Sequence, residues 1–442
     1  MVLVHILGGL VMKWLPMVAT VHALGTLVVS LTIVLRSRRA TDAVCAVAYI
    51  AGAEVLWRMT NASLPWEYGK YAVVLIALAA LARRGFKGVD YLPILYFLLL
   101  LPSSVLTLGA FPLDDARKQI SFNLSGPLSC AACLVLFGSI RTQPEVVKRC
   151  LLFYLGPAAG VAGLAFFGIH AAGEVSFEHG SNFVASGGFG PVQVSSALGL
   201  ATVISFHFAT DSGLRKVARA VAFALTLWFL GQSVLTFART GLYSAGLSVA
   251  AAMPFLMRSS RFRWQAVAVL VGLLGIGVFL IFPALNSFTG GNLERRYADS
   301  RTSGRDQLLQ DDVNVWLKSP VLGVGPGVAK LRREKSGYAA HTEYSRLLSE
   351  HGLLGIAAAA VLGIVLVRQF PRQSVASHQA LVASLLVWAL MFMASDAMRL
   401  VAPALALSFG AIRLSALPRA ALRPGRSRAQ GRGSFVSDPV VP

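Results

Sequence analysis

Apolar runs of about 20 residues recur along the whole chain and are separated by short polar segments. Each run is long enough to cross a bilayer core of roughly 30 Å as a helix, which satisfies its own backbone hydrogen bonds in lipid. Strands of a membrane barrel would be about half as long and would alternate in polarity, which these runs do not. The pattern therefore predicts an all-α polytopic membrane protein with about 12–14 transmembrane helices.

The predicted helices divide the chain into four parts. Residues 1–12 are also apolar and predict a further short helix, and we interpret the first helix as a retained anchor because no signal-peptidase site is evident. The predicted membrane helices lie at 14–35, 42–59, 66–82, 90–109, 121–140, 150–170, 191–209, 220–238, 240–257, 264–283, 352–368, 379–395 and 400–413. The parts are N-terminal membrane helices in 1–283, a loop in 284–351, C-terminal membrane helices in 352–413 and a tail in 414–442.

Charge sets the predicted orientation. Only 14% of the residues are charged, against roughly 25% in soluble proteins, so the chain could not cover a water-soluble surface. The net charge of +20 is distributed over short clusters in every second loop, which indicates the positive-inside rule rather than nucleic-acid binding and assigns those loops to the cytoplasm. These clusters are Arg36, Arg38 and Arg39; Arg83, Arg84 and Lys87; Arg141, Lys148 and Arg149; Arg215, Lys216 and Arg219; Arg258, Arg261 and Arg263; Arg368 and Arg372; and the tail from Arg413.

Two segments depart from this simple alternation. The 284–351 loop holds ten of the forty Lys and Arg residues, but alternation places it outside, and long loops cross a membrane regardless of charge. The tail beyond Pro418 is rich in Arg, Pro, Gly and Ser, which predicts a disordered cytoplasmic segment near anionic lipid. No soluble second domain is predicted.

The four cysteines do not predict a disulfide framework. Cys45, Cys130, Cys133 and Cys150 all lie in or beside apolar runs, so no set of disulfides is predicted. Cys130 and Cys133 form a CxxC pair, but no second ligand pair lies nearby. This favours helix packing over metal binding.

Ionisable residues in membrane helices are costly, so they are functional candidates by default. Here they gather at the predicted outer ends of the helices, where snorkelling residues and helix-to-helix ion pairs are the alternative interpretation. They are Glu54 and Arg58; Arg239; Asp396 and Arg399; and, on an outer loop, Asp114, Asp115, Arg117 and Lys118. Arg239 stands out, because it lies in a very short turn with no acidic neighbour in sequence. A guanidinium there is suited to hold a phosphate through two parallel hydrogen bonds.

The 284–351 loop contains the richest pattern. Four arginines, of which Arg301 and Arg305 are the last two, fall within eleven positions, and residues 305–317 show apolar positions at helical spacing. This amphipathic helix could lie on the membrane surface or pack on the bundle. The turn at 320–327 follows no strand, which indicates close backbone approach rather than a phosphate loop. His341 could accept the proton of an attacking sugar hydroxyl, although a lone histidine is more often structural.

The segment from Arg305 to Gly355 resembles the signature region of the O-antigen ligase and Wzy-type polymerase superfamily. The matching features are Arg305 before the amphipathic helix, Trp316, Pro320, the Gly323-Val324-Gly325-Pro326-Gly327 turn, and His341 with Gly352 and Gly355 downstream. The Arg239 turn resembles the superfamily's Ser-x-Ser-Arg-type turn, with Thr236 and Ala238 as departures. The many-helix layout with one large late outer loop is similar across the chain.

The resemblance implies a GT-C-like membrane bundle that transfers an undecaprenyl-diphosphate-linked glycan at the periplasmic face of the bacterial inner membrane. It implies that His341 is the base and that Arg239 and Arg305 bind the diphosphate, with Glu343, Tyr344 and Arg301 as supporting residues. No metal or other cofactor is implied, because the lipid diphosphate is already an activated leaving group. The acceptor would be a sugar of the lipid A core in a ligase.

In a polymerase the acceptor would be another lipid-linked glycan, and the Thr342-Glu343 sequence after the histidine resembles that of exopolysaccharide polymerases as well. A transporter of lipid-linked sugars is a third alternative. It would require charges along a path through the membrane, whereas the candidates here gather at one end.

Overall fold

The computed structural model describes residues 1–37, 39–85, 89–173, 175–177, 180–259, 263–299, 304–333, 341–370 and 375–414. The first half of the chain forms α1 (Val2–Trp14), α2 (Pro16–Arg36), α3 (Thr41–Met59), α4 (Tyr68–Arg84), α5 (Leu92–Leu98), α6 (Ser104–Ala110), α7 (Leu113–Gly138), β1 (Arg141–Thr142), α8 (Pro144–Cys150), α9 (Leu152–Ala171) and α10 (Pro191–Ala209). A 3-10 turn at Val184–Ser186 precedes α10.

The second half forms α11 (Lys216–Leu235), α12 (Arg239–Arg258), α13 (Arg263–Ile276), a π-helical turn (Gly277–Ile281), α14 (Phe282–Phe288), α15 (Asn292–Ala298), α16 (Arg305–Lys318), α17 (Ala329–Arg332), α18 (Glu343–Gln369), α19 (Ala376–Ser395), α20 (Ala402–Ser408), a 3-10 turn (Phe409–Ala411) and β2 (Arg413–Leu414). The two short strands pair in parallel, with Arg141 opposite Arg413.

Nine helical stretches of the described residues are long and apolar enough to cross a membrane. They are Pro16–Arg36, Leu113–Gly138, Pro144–Ala171, Pro191–Ala209, Lys216–Leu235, Arg239–Arg258, Arg263–Phe288, Glu343–Gln369 and Ala376–Ser395. Shorter or more polar helices pack among them: α1 and α20 are short, and α3 carries Asp42, Glu54 and Arg58. The chain is therefore an all-α polytopic membrane protein, as its hydrophobic pattern predicts.

Two local predictions are wrong. Residues 90–109 do not form one helix, because the chain turns between α5 and α6 at Pro102, which has no backbone N–H to donate and disfavours helical geometry before it. The charged residues from Asp114 to Lys118 are not in a loop. They form the start of α7, where two carboxylates in the first turn favourably meet the positive end of the helix dipole.

The centre of the bundle is built from close helix pairs. α3 packs on α9, α10 packs on α11 and α12, α12 packs on α19, and α7 packs on α4 and α20. Small residues allow these approaches. A Cβ at Gly52 would lie 2.5 Å from the Tyr154 carbonyl oxygen, so glycine at this position lets the backbones of α3 and α9 come into close contact.

The two ends of α3 define two ends of the bundle. Its 19 residues span about 28 Å, from a start beside Arg39 to Arg58. Arg39, Arg84, Arg141 and Arg149 line one cavity at the start of α3, which we call the basic end. We call the end that contains Arg58 the site end, because the predicted functional residues lie there.

Candidate active site

Arg239 begins α12 directly after a sharp turn. Phe237 in that turn has a φ of 58°, in the left-handed region, and its side chain is fully buried. The Arg239 Nη2 donates to the Arg296 carbonyl at 2.9 Å, and the Arg296 Nε donates to the Phe237 carbonyl at 3.0 Å. These reciprocal bonds join the turn to α15 and bring together two guanidinium groups from distant parts of the chain.

α10 holds the same turn from the other side. The Ser195 hydroxyl donates to the Ala238 carbonyl at 2.8 Å and accepts the Gly241 N–H at 3.1 Å. A Cβ at Gly241 would lie 2.1 Å from the Ser195 carbonyl oxygen, so only glycine allows this approach. The start of α12, and with it Arg239, is thereby fixed on the bundle.

Arg305 is the first residue of α16, the predicted amphipathic helix. α16 packs against α18, and its buried face includes Leu308 and Val315. Leu309 and Leu317 lie on another face and are 47% and 63% exposed. One face of α16 therefore packs on the bundle, as one of the two interpretations predicts, and a second apolar face is exposed.

A buried ion pair ties α16 to the segment after α17. The Arg333 Nε donates to Asp312 Oδ1 at 2.8 Å, and both side chains are 1% exposed. Removing either partner would leave an uncompensated charge in a nonpolar setting, which is strongly destabilising. The pair therefore fixes the position of α16 and of Arg305 at its start.

Charge interactions connect the three residues that the sequence singles out. The Arg305 charge interacts with the Arg239 guanidinium and with the Asp396 carboxylate. The His341 ring in turn interacts with Arg305. Arg305 is thus the link between the turn of α12 and the segment just before α18, although these lie about a hundred positions apart in sequence.

His341 lies just before α18, where Thr342 caps the helix by accepting the Ser345 N–H at 2.9 Å. Burial lowers the pKa of His341 below its usual value of 6.5, and the positive charges of Arg305, Arg399 and Arg333 lower the pKa further. A neutral imidazole, which can accept a proton, is therefore favoured at neutral pH.

An acidic residue balances this cluster of arginines. Asp396 is buried in the turn between α19 and α20, where Oδ1 accepts the Ala397 N–H at 2.9 Å and the Arg399 Nη1 at 3.2 Å. Burial raises the pKa of Asp396, while the charges of Arg399, Arg305 and Arg58 oppose that rise. The sequence places Asp396 and Arg399 at the outer end but does not indicate that their turn faces Arg305.

The predicted supporting residues lie in different surroundings. The Glu343 carboxylate is fully buried, forms a bidentate ion pair with Arg346 and accepts the Met398 N–H at 2.9 Å. It faces the bundle interior. Tyr344 is 43% exposed and donates to the Leu390 carbonyl at 3.2 Å. Arg301 lies outside the described residues.

The glycine-rich turn at residues 320–327 packs against α18 where that helix is interrupted. Gly352 has φ 60° and ψ −137°, which interrupts the helix, and the Leu353 N–H then donates to the Pro320 carbonyl at 2.9 Å. The Gly325 N–H donates to the Glu350 carbonyl at 2.9 Å, and the Gly327 N–H donates to the Glu350 carboxylate at 2.9 Å. The expected close backbone approach is confirmed, and these N–H groups are committed to α18.

Replacing Gly352 by alanine is expected to destabilise the protein by roughly 1–3 kcal/mol. The added Cβ would lie 2.4 Å from the Pro320 carbonyl oxygen and would occupy a left-handed conformation. Thermal unfolding of the purified protein measures the effect. Gly363→Ala is the matched control, because it lies in the same helix with open space around its Cβ position; equal melting temperatures for the two variants would contradict the packing described here.

A further ion pair, between Arg58 and Glu54, borders these residues. The Arg58 Nη2 donates to Glu54 Oε1 at 2.7 Å, and the Arg58 guanidinium lies 4.0 Å from the ring centroid of Trp66. Glu54 Oε2 accepts the Val401 N–H at 2.6 Å. Both residues belong to α3, four positions apart, so this is an ion pair within one helix and not the helix-to-helix pair that the sequence offered as an interpretation. A cavity of about 350 Å³ beside it is lined by Glu54, Arg58, Trp66 and Phe189 among others.

The site therefore combines the guanidinium groups of Arg239, Arg305 and Arg399 with the His341 imidazole and the buried Asp396 carboxylate. Guanidinium groups bind phosphate oxygens in a bidentate manner, so such a cluster is suited to a diphosphate. Among the residues that the structure describes, no three or more His, Cys, Asp or Glu side chains are placed to hold a metal ion together.

The fold and this site define a multi-pass membrane protein with a cationic site at one end of its helices. Residues 222–360 match the model of a family described as O-antigen ligase, and the match includes Arg239, Arg305 and His341. This match supports the O-antigen ligase-like superfamily that the sequence resembles, and with it a ligase- or polymerase-like membrane function. No curated protein matches the chain.

Proposed function

We propose that this protein transfers a glycan from an undecaprenyl-diphosphate-linked donor to a sugar hydroxyl of an acceptor. The observation that carries the proposal is that Arg305, at the start of α16, lies within range of a charge interaction with both Arg239, at the start of α12, and His341, just before α18. A displacement at the anomeric carbon requires a cationic group for the departing diphosphate and a base for the attacking hydroxyl. In this proposal the arginines supply the cationic groups and His341 supplies the base.

The reaction is a single displacement. The acceptor oxygen forms a bond to the anomeric carbon from the face opposite the diphosphate, while the bond from that carbon to the diphosphate oxygen breaks and its electron pair leaves with the diphosphate. The hydroxyl proton passes to His341. The configuration at the anomeric carbon is inverted, and the products are the extended glycan and undecaprenyl diphosphate.

Arg239 and Arg305 act on the leaving group. Negative charge grows on the diphosphate as the bond breaks, and fixed donors in a site with little water stabilise such charge strongly. The negative charge of Asp396 interacts favourably with the Arg305 guanidinium. Glu343 serves as a positioning residue, because its contacts to Arg346 and Met398 fix the start of α18 next to His341.

The positive-inside rule assigns the basic end to the cytoplasm of a bacterial inner membrane and hence the site end to the periplasm. The exposed apolar face of α16 supports this arrangement, because it would lie at the membrane surface near a lipid-linked donor. The acceptor is a lipid A-core sugar in a ligase and a lipid-linked glycan in a polymerase.

The glycan profile of a deletion strain separates these two acceptors. We expect loss of lipid-A-linked chains while long carrier-linked polymer remains, which is the result for a ligase. Single repeat units on lipid A would instead assign the polymerase. An unaltered profile, with both long chains and their attachment intact, would contradict the proposed transfer altogether.

The transfer rate is expected to depend on pH through His341. A base is inactive when protonated, and the pKa of His341 lies below 6.5 because of burial and neighbouring arginines, so kcat/KM should stay constant down to about pH 6.5 and fall at more acidic pH. Arg399→Gln removes one positive charge that lowers this pKa, so its acid limb should move to higher pH. Two results would contradict the role of His341. One is a fall of kcat/KM that begins above pH 6.5 in the wild type, and the other is an acid limb that Arg399→Gln does not shift.

A further inference from the structure

An apolar groove runs along the outside of the bundle between α2, α3 and α9. The groove has a volume of about 500 Å³. Its lining includes Gly25, Val29, Ile33, Ala46 and Phe153. Val29, Ile33 and Phe153 are exposed, so the groove opens sideways to the region that lipid chains occupy around a membrane helix.

The polar lining residues His22 and Tyr49 form hydrogen bonds with each other and with neighbouring side chains. The Tyr49 hydroxyl lies 3.0 Å from His22 Nε2 and 3.3 Å from His5 Nε2, and the Trp57 Nε1 donates to His22 Nδ1 at 2.9 Å. Because these polar groups are already paired with each other, the groove presents a largely apolar interior.

One end of the groove opens into the arginine cavity of the basic end. That cavity has a volume of about 610 Å³ and shares Asp42, Cys45 and Phe153 with the groove. Of the residues that the structure describes, four arginines and one acidic residue, Asp42, line this cavity. The four are Arg39, Arg84, Arg141 and Arg149.

The groove is apolar, and the cavity at its end carries an excess of positive charge. An anionic phospholipid has the complementary two parts, apolar chains and a negatively charged headgroup. Acyl chains fit the groove, and a phosphate fits among the arginines. Basic pockets between helices on the cytoplasmic side of a membrane bind anionic lipid headgroups in this way. The cavity lies at the start of α3, about 28 Å from Arg58, so it is separate from the proposed catalytic site.

We infer that this groove and cavity form a binding site for an anionic phospholipid of the leaflet at the basic end. One acyl chain lies between α2, α3 and α9, and the phosphate is held by Arg39, Arg84, Arg141 and Arg149. The site is independent of the transfer reaction and does not require the proposed function to be correct.

The experiment measures phosphatidylglycerol binding to the delipidated full-length protein by native mass spectrometry. Arg84→Ala/Arg149→Ala removes two of the four charges. Each arginine near an anionic headgroup contributes roughly a factor of five in affinity, so the expected loss is about 25-fold. Phosphatidylcholine with the same acyl chains should bind weakly to the wild type. Arg215→Ala/Lys216→Ala is the matched control, because it removes two exposed charges that do not line the cavity.

A second variant tests the groove without changing any charge. Gly25→Phe places a ring in the groove, where the Cβ position has no atom within 4 Å, and it should also weaken phosphatidylglycerol binding. Gly246→Phe, on α12 with equally open space, should not. Unchanged affinity in both the arginine variant and Gly25→Phe would overturn the inference. So would tighter binding of undecaprenyl diphosphate than of phosphatidylglycerol that is lost in the same two variants.

Discussion

Arg305→Ala is expected to reduce the rate of undecaprenyl diphosphate release by about 10²–10³-fold, the cost of removing one preorganised donor from developing negative charge. Arg305 is expected to have this large effect because charge interactions connect it with Arg239, His341 and Asp396. Single-turnover kinetics with purified protein and lipid-linked donor measure it. Arg305→Lys should recover only part of the rate, because an ammonium group cannot bind two phosphate oxygens through a planar fork.

Arg295→Ala is the matched control for Arg305. Arg295 is an exposed arginine of the same loop, on α15, and should be close to wild type when replaced. If Arg295→Ala and Arg305→Ala lowered the rate equally, the effect would come from the net charge of the loop. The assignment of Arg305 to the diphosphate would then be wrong.

His341→Ala is expected to lower the transfer rate by about 10²–10⁴-fold, the range for losing a general base. Donor affinity should change little, since the proposed diphosphate contacts come from arginines. The remaining rate should lose the acid limb that His341 imposes on the wild type. Transfer of labelled glycan to the acceptor, measured with saturating donor, gives the rate.

His170→Ala serves as the control, because His170 is an exposed histidine at the site-end terminus of α9. It should transfer glycan at the wild-type rate. A His341→Ala protein that retained both the full rate and the acid limb would exclude His341 as the base and would leave the cluster as an anion-binding site alone.

Much of the fold follows from the sequence because hydrophobic length is a local property. α10 has its predicted bounds of 191–209, and the bounds of α2 and α3 lie within two residues of those predicted. The break at Pro102 and the helical start of α7 at Leu113 depend on single residues within otherwise suitable stretches. A hydrophobicity pattern averaged over about 20 positions does not resolve such single-residue features.

The site is predictable only in part, because charge at a helix end is visible in sequence whereas its partner is not. Arg239, Arg305 and His341 stand out through their positions and their resemblance to a family. The buried pair of Glu343 with Arg346 has a local signal, a spacing of three positions on a helix. The charge interaction of Asp396 with Arg305 has none, because the two residues lie far apart in the sequence.

Arg239 and Arg305, which come from distant segments of the chain, are proposed to bind the same diphosphate. The most direct measurement is the affinity for undecaprenyl diphosphate of the wild type, Arg239→Ala, Arg305→Ala and the double variant. We predict that each single variant binds more weakly and that the double variant departs from additivity by about 0.5–3 kcal/mol, as for residues in one network. Purely additive losses, or full affinity in either single variant, would contradict the claim.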